Sequence, residues 1–496
     1  MLDDELQSAL DRRAANGTLR QLTVYPTATS SSSFSSSSSS SSSSFDLASS
    51  KRPLVDFSSN DYLSLATSSR VRADFASMVT SNPSLSSQLG SAGSRLLDGN
   101  SSIHEATELE LTEHFASSSA GLLFNSGYEA NVSLLSTLPQ PRDVVIYDEL
   151  VHASVHDGLR RSRVSTHLRI PFRHNSVEHL EEILERLIQD GTLTAATNSN
   201  ASGARNIWLA VESVYSMDGD VCPLQSLLDA MSRYVDDKRI CAIVDEAHST
   251  ALYGVRGRGL INALGLQADR RIAARLMTFG KAWGASGAIV LCSKVARHYL
   301  INYARPFIFS TALGYPQLTS ILASFNSIKD GTAQRAACRT FANSRRLVDG
   351  FEAVIRAQLS DATRSIALPP HLRPETQLET QPKQKPDQGE EHNHDFVSWS
   401  MQQPSPIIPL LTADARELAA HLRANGLLAR PICYPTVPKG EDRVRICVHA
   451  DNTAEDIDRL IECVRMWTEE AQGQRIGNVV NGRSTLSAPQ SLSSKL

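Results

Sequence analysis

Five apolar residues in a row, Ile240-Cys-Ala-Ile-Val244, run directly into Asp245. A short apolar run without alternation fits a strand buried on both faces. Similar β-branched runs occur at 144–147, 206–211, 275–279 and 288–292. Helical periodicity separates them, as in Pro223 to Met231, where Leu224, Leu227, Leu228 and Met231 share one face. Strands spaced by helices predict an α/β fold whose mostly parallel sheet is covered by helices. This large domain is expected over 61–330, with a smaller α+β C-terminal domain over 331–470. The N-terminal segment, 1–60, is expected to pack on one of the two. In such sheets ligands gather at the carboxyl ends of the strands, which is where Asp245 falls.

Composition narrows the class. The chain has 496 residues, 41% hydrophobic and 21% charged, as in a soluble globular protein of more than one domain. A formal net charge of −4 gives no reason to expect a nucleic-acid partner. No apolar run approaches the ~20 residues that span a bilayer, so no membrane partner is expected. The acidic start Met1-Leu-Asp-Asp-Glu-Leu argues against a secretory signal or a mitochondrial presequence. The seven cysteines form no CxxC pair or zinc-ligand spacing and read as reduced core thiols of an intracellular protein. Ser494-Lys495-Leu496 matches the tripeptide read by the peroxisomal import receptor, so the expected location is the peroxisome, otherwise the cytoplasm. Four polar stretches read as inserted or disordered: the almost pure serine tract 27–50, 190–205, 372–395, and the tail 471–496.

One lysine has little structural reason for its place. Lys281 lies in Thr278-Phe-Gly-Lys-Ala-Trp-Gly-Ala-Ser-Gly-Ala288, among glycines and the apolar Phe279 and Trp283. A strand that delivers Asp245, together with a lone lysine in a tight apolar loop, is what pyridoxal phosphate (PLP) chemistry needs. The lysine holds the cofactor as a Schiff base, and the aspartate keeps the pyridine nitrogen protonated. Asp245 is costly to bury unless a cation faces it, and a pyridinium would be that cation. Ser126-Gly127 opens a helical pattern, whose free N–H groups at Gly127 and Tyr128 could seat the phosphate. An ordinary helix cap is the plainer alternative there.

Other residues fit the same frame. His152, just past the 144–147 strand, could stack on the ring and meet substrate, although a surface-loop histidine looks no different. Ser216 could hydrogen-bond the cofactor, or belong to a simple Asp-Gly turn. His248 could reach the ring hydroxyl and Thr278 the phosphate. Arg445, alternating along a strand in Asp442-Arg-Val-Arg-Ile-Cys-Val448, suits a substrate carboxylate, but could equally be a surface arginine. Thr436 sits in the rigid loop Tyr434-Pro-Thr-Val-Pro438.

Several stretches taken in order resemble the α-oxoamine synthases, PLP enzymes of fold type I. They are Asp56-Phe-Ser-Ser-Asn-Asp-Tyr-Leu63, Gly93-Ser-Arg-Leu-Leu-Asp-Gly-Asn100 with His104-Glu105, Ser126-Gly-Tyr-Glu-Ala-Asn131, Ser216-Met-Asp-Gly-Asp220, Asp245-Glu-Ala-His248, Gly254 with Gly257-Arg-Gly259, and Thr278-Phe-Gly-Lys281. The resemblance implies that Gly127, Tyr128, Ser216, His248 and Thr278 bind PLP, that Lys281 carries it, and that His152, Thr436 and Arg20 touch substrate. It implies that Ser310-Thr311 reaches the cofactor phosphate of a neighbouring subunit, hence a homodimer. Trp283 and Ala285 depart from the leucine or glycine commoner there. The implied reaction joins an amino acid, L-alanine, to an acyl-CoA, pimeloyl-CoA, with release of CoA and carbon dioxide. Three alternatives stay open: a different acyl-CoA or amino acid, an aminotransferase or decarboxylase that uses no acyl-CoA, and a non-catalytic partner subunit. The last would be expected to have lost Lys281.

Overall fold

A computed structural model describes residues 2–25, 53–86, 88–115, 119–193, 205–358, 365–373 and 393–480. The serine tract 27–50, most of 190–205 and 372–395, and Ser494-Lys495-Leu496 lie outside the described residues. Among the described residues no helix is long and apolar enough to cross a membrane.

The strands in chain order are β1 (Val55–Asp56), β2 (Ala120–Phe124), β3 (Val144–Asp148), β4 (Arg169–Phe172), β5 (Ile207–Glu212), β6 (Ile240–Asp245), β7 (Ile272–Thr278), β8 (Ala288–Cys292), β9 (Ile407–Leu411), β10 (Leu427–Leu428), β11 (Arg430–Ile432) and β12 (Arg443–Cys447). Seven form one sheet in the order β2-β8-β7-β6-β5-β3-β4. The β3, β4, β5, β6 and β7 pairings are parallel, whereas β8 runs antiparallel to both β7 and β2. The cause is local. Only the loop 279–287 joins β7 to β8, too short for a crossover helix, so the chain must turn straight back. The sheet is therefore mostly parallel with one reversed strand, and Lys281 rides on the reversing loop.

Two of these strands carry weak sequence signals. β4 contains Arg169 and Pro171, and a proline is tolerated because this strand lies at the sheet edge. β2 lies at the other edge and contains Gly121, where a side chain would collide with Thr112 on the covering helix Ser102–Phe115. The central strands are mostly buried, β5 and β8 at every position. Helices Gly127–Thr137 and Leu224–Tyr234 add Leu134, Leu135, Leu227, Leu228 and Met231 to the same core.

A second sheet, β11-β12-β9, is antiparallel and packs with helices Thr332–Arg356, Ala415–Ala424 and Ala454–Val480. The N-terminal β1 pairs in parallel with β10, so the chain just ahead of the large sheet belongs to this smaller layer. Strand β12 alternates. Val444 and Ile446 enter the small core, while Arg443, Arg445 and Cys447 occupy the opposite face of the strand. That alternation aims two buried arginines toward the loop after β5, where their partners lie.

Candidate active site

Lys281 is partly buried, and its amine lies 2.8 Å from Nε2 of His248. The other ring nitrogen, Nδ1, lies 2.8 Å from the Tyr62 hydroxyl, and that hydroxyl donates to Oδ1 of Asn60 at 3.1 Å. A hydroxyl already donating to Asn60 must accept from Nδ1–H, which leaves Nε2 to accept from the amine. Burial and the nearby Lys281 hold His248 well below the usual imidazole range, so it is neutral. Burial also lowers Lys281, against the pull of Asp245 and Glu212. An amine that loses its proton easily is the form that attacks a carbonyl carbon.

Asp245 ends β6 and is buried. Its Oδ2 accepts from Asn131 Nδ2 at 2.7 Å and its Oδ1 from the Ala247 amide at 2.9 Å. The same Asn131 amide nitrogen donates to Ser154 Oγ at 3.0 Å, and Ser154 Oγ lies 2.7 Å from Nδ1 of His152. The Ser154 amide also donates to that Nδ1, at 3.2 Å. Nδ1 is thus an acceptor, and the proton of the neutral ring sits on Nε2. Burial keeps His152 below its usual range despite Asp245. One helix-borne asparagine therefore fixes both the acid and the imidazole.

The start of helix Gly127–Thr137 faces the same region. Ser126 caps it by accepting from the Glu129 amide at 3.1 Å, which leaves the N–H groups of Gly127 and Tyr128 at the positive end of the helix. A methyl group built on Gly127 would sit 3.4 Å from both Cβ and Oγ1 of Thr278. Thr278 donates its hydroxyl to Gly287 O at 3.2 Å. Gly127 and Thr278 are thus brought face to face. The Tyr128 side chain turns outward, with its hydroxyl on Asp157 and its ring edge-on to His152 at 6.4 Å between centroids.

Arg445 is 7% exposed. Its guanidinium donates to Ser216 O at 2.5 Å, Cys447 Sγ at 2.9 Å and Asn60 Oδ1 at 3.1 Å, and more distantly to the Tyr62 hydroxyl at 3.4 Å. Every one of these partners is neutral. Ser216 therefore meets Arg445 through its backbone carbonyl. Its loop is held by two further contacts, Arg443 on Asp218 and His174 bridging Asp148 at 2.9 Å and Asp220 at 2.7 Å. Burial pushes His174 down, but the two carboxylates outweigh it and lift the ring to about 10.

Lys281, His248, Asp245 and His152 are linked through hydrogen bonds or charge, and Arg445 joins them through Tyr62 and Asn60. Three residues lie apart from this network. Arg20 is exposed, and none of the hydrogen bonds among the described site residues reaches it. Thr436 is exposed on a turn closed by its own amide to Cys433 O at 3.0 Å. Thr311 is exposed, and its carbonyl accepts from Asn125 Nδ2 at 2.9 Å. Sequence reasoning passed over four polar residues: Asn60, Tyr62, Asn131 and Glu212. Asn60 and Tyr62 lay inside a quoted motif and Asn131 at the end of another; a polar residue kept on a helix's buried face was the available signal for Asn131.

The pattern of the family described as aminotransferase class I and II matches residues 52–464. The chain belongs to that family. It is 37% identical to an 8-amino-7-oxononanoate synthase of Emericella nidulans, over 96% of this chain and 98% of that protein. It is 34% identical to an aminoacyl transferase, sphA, of Aspergillus fumigatus, over 82% of this chain and 79% of that one. Among solved structures it is similar to a Sphingomonas wittichii serine palmitoyltransferase (TM-score 0.65, 23% identity, 85% and 89% of the two chains). It is also similar to an 8-amino-7-oxononanoate synthase from Francisella tularensis (TM-score 0.57, 21% identity, 85% and 99%). The fold is that of the fold-type-I PLP transferases, and the chain is a PLP-dependent enzyme like 8-amino-7-oxononanoate synthase. Its residues fit the cofactor. Lys281 offers an easily deprotonated amine, Asp245 a buried carboxylate, and the Gly127 helix end a phosphate seat opposite Thr278.

Proposed function

We propose that this enzyme condenses L-alanine with pimeloyl-CoA and releases 8-amino-7-oxononanoate, CoA and carbon dioxide, a step of biotin assembly. One observation carries the amino-acid half of this reading. Arg445 is a buried cation, and among the described residues it has no carboxylate partner. A buried charge without a counter-ion is costly, and a substrate carboxylate would supply one. The acyl half is supported by the 37% identical relative, whose name is that of the synthase.

When bound, PLP supplies an electron sink for negative charge at the amino acid's Cα. The chain does the rest. Asp245, steadied by Asn131, would face the pyridine nitrogen and keep its proton in place. Arg445 and Asn60 fix the substrate carboxylate until it leaves as carbon dioxide. Lys281, whose amine rests on the neutral His248, would take the Cα proton. His152 presents Nε2–H, a donor suited to the acyl carbonyl oxygen as its charge grows. A bond forms between Cα and the acyl carbon as the thioester carbon–sulfur bond breaks; the CoA thiolate leaves and takes up a proton, and once carbon dioxide has departed the proton held by Lys281 returns to Cα.

A homodimer is part of the proposal. Thr311 is exposed, as are Phe309, two residues before it, and Leu96 and Leu97, which follow Gly93, whose carbonyl accepts from the Ala312 amide; the three are 69%, 46% and 74% exposed. Apolar surface of this kind next to the proposed phosphate contact suits a second copy of the chain. The test of function is CoA release by purified, PLP-loaded protein with alanine and a series of acyl-CoAs. Pimeloyl-CoA should give the highest kcat/KM. Turnover without any acyl-CoA would point instead to an aminotransferase. The 34% identity to an aminoacyl transferase makes a different acyl-CoA or amino acid the second reading.

A further inference from the structure

Glu212 is the one buried acid of the site that this mechanism leaves without work. It ends β5 and is 2% exposed. Its Cα pairs in register with that of Asp245 on the adjacent parallel strand. Neighbours across a parallel ladder are about 4.8 Å apart and project to the same face, so two carboxyls share one buried surface. Oε1 of the Glu212 carboxyl has no hydrogen-bond partner among the described residues, and the backbone N–H of His152 lies on the carboxyl's side and favours its charged form. A carboxylate oxygen left bare in the interior is unfavourable, and a proton on that carboxyl removes the charge that makes it so.

We propose that Glu212 is a positioning residue, which holds His152 through its backbone and sets the amount of negative charge beside Asp245 by keeping or losing a proton. The charged groups around it support this. Asp245 on β6 and Asp148 on β3 disfavour its ionisation, and Lys281 favours it. Burial and then Asp245 push the carboxyl up to about 8. The Tyr215 hydroxyl and the Cys222 thiol, in the loop that follows, are both held in their neutral forms, in part by Glu212. With its proton in place Glu212 adds no charge to the surface it shares with Asp245. Once it ionises it adds an anion there, which strengthens the hold of every nearby nitrogen on its proton. The proposal rests on the cofactor site and not on the identity of either substrate.

The test follows the visible absorbance of the lysine-linked cofactor from pH 6 to 10, with no acyl donor present. Two coupled ionisations give a broadened curve. Glu212→Gln keeps an acceptor for the His152 amide but cannot ionise. Its curve should sharpen to one proton, with its midpoint at lower pH. Glu212→Ala also loses the grip on His152, and the PLP dissociation constant should rise on the order of tenfold. An unchanged midpoint and width in E212Q would overturn the proposal. Infrared difference spectra of the cofactor-free protein supply a reading independent of loading. A protonated-carboxyl band at pH 7 that vanishes in E212Q is expected, and its absence from the parent enzyme would overturn the proposal as well. A parent enzyme that forms no lysine-linked chromophore would instead defeat the cofactor reading, which is a separate result.

Discussion

The amine of Lys281 rests on Nε2 of His248, not on a carboxylate. An ammonium gripped by an acid would hold its proton tightly. A neutral imidazole that accepts one hydrogen bond leaves the amine free to lose a proton and act first as a nucleophile, then as a base. Replacing Lys281 with Ala removes both roles. CoA release should fall on the order of a thousandfold or more, and the lysine-linked chromophore should disappear from the absorbance spectrum.

Tyr62 joins the His248 ring to Asn60 and, at longer range, to Arg445. Tyr62→Phe keeps the buried ring and removes only the hydroxyl. Nδ1 of His248 then loses its acceptor, and kcat/KM for the amino acid should drop about tenfold. Steady-state kinetics on protein with an unchanged melting temperature would check this. A larger loss accompanied by unfolding would show that the hydroxyl matters to the fold instead.

Arg445→Lys tests the carboxylate seat. An ammonium cannot reproduce a fork that spans Ser216 O, Cys447 Sγ and Asn60 at once. The KM for alanine should rise on the order of a hundredfold, with a much smaller change in the KM for acyl-CoA. Equal effects on both would place Arg445 elsewhere in the mechanism.

His174 gives a pH prediction for stability. Its folded value, about 10, lies above its ordinary 6.5. A raised histidine contributes stability that is fully present below 6.5 and is lost as pH climbs through about 10. His174→Gln should remove on the order of a few kcal/mol at pH 6 and flatten the alkaline decline. Urea unfolding at pH 6, 8 and 10 would show both effects.

Much of this architecture was legible in the chain because its central strands are buried on both faces. The runs at 144–147, 206–211 and 240–244 correspond to β3, β5 and β6 within a residue or so at each end. The edges were harder to read. β4 mixes Arg169 and Pro171 into a strand that needs only one neighbour, and β2, Ala120-Gly-Leu-Leu-Phe124, carries no β-branched residue at all. Asp245 and Lys281 stood out because a charge in an apolar stretch breaks a pattern. Asn60, Tyr62 and Glu212 break none. Tyr62 meets His248 from 186 positions away and Asn60 meets Arg445 from 385, and no local periodicity encodes such pairings. The expected roles of Thr436 and Arg20 depended on loops whose course follows from packing alone.

The hairpin that carries Lys281 divides the catalytic cleft into a fixed part and an adjustable one. Both legs of the turn are rungs of one ladder, so the nucleophile cannot drift without unzipping β8 from β7 and β2 together. Arg445, by contrast, hangs from a three-stranded layer and touches the large sheet through a loop that His174 pins at its far end. Changes of substrate should therefore arise by remodelling that outer jaw, while the anvil under the nitrogen stays as it is.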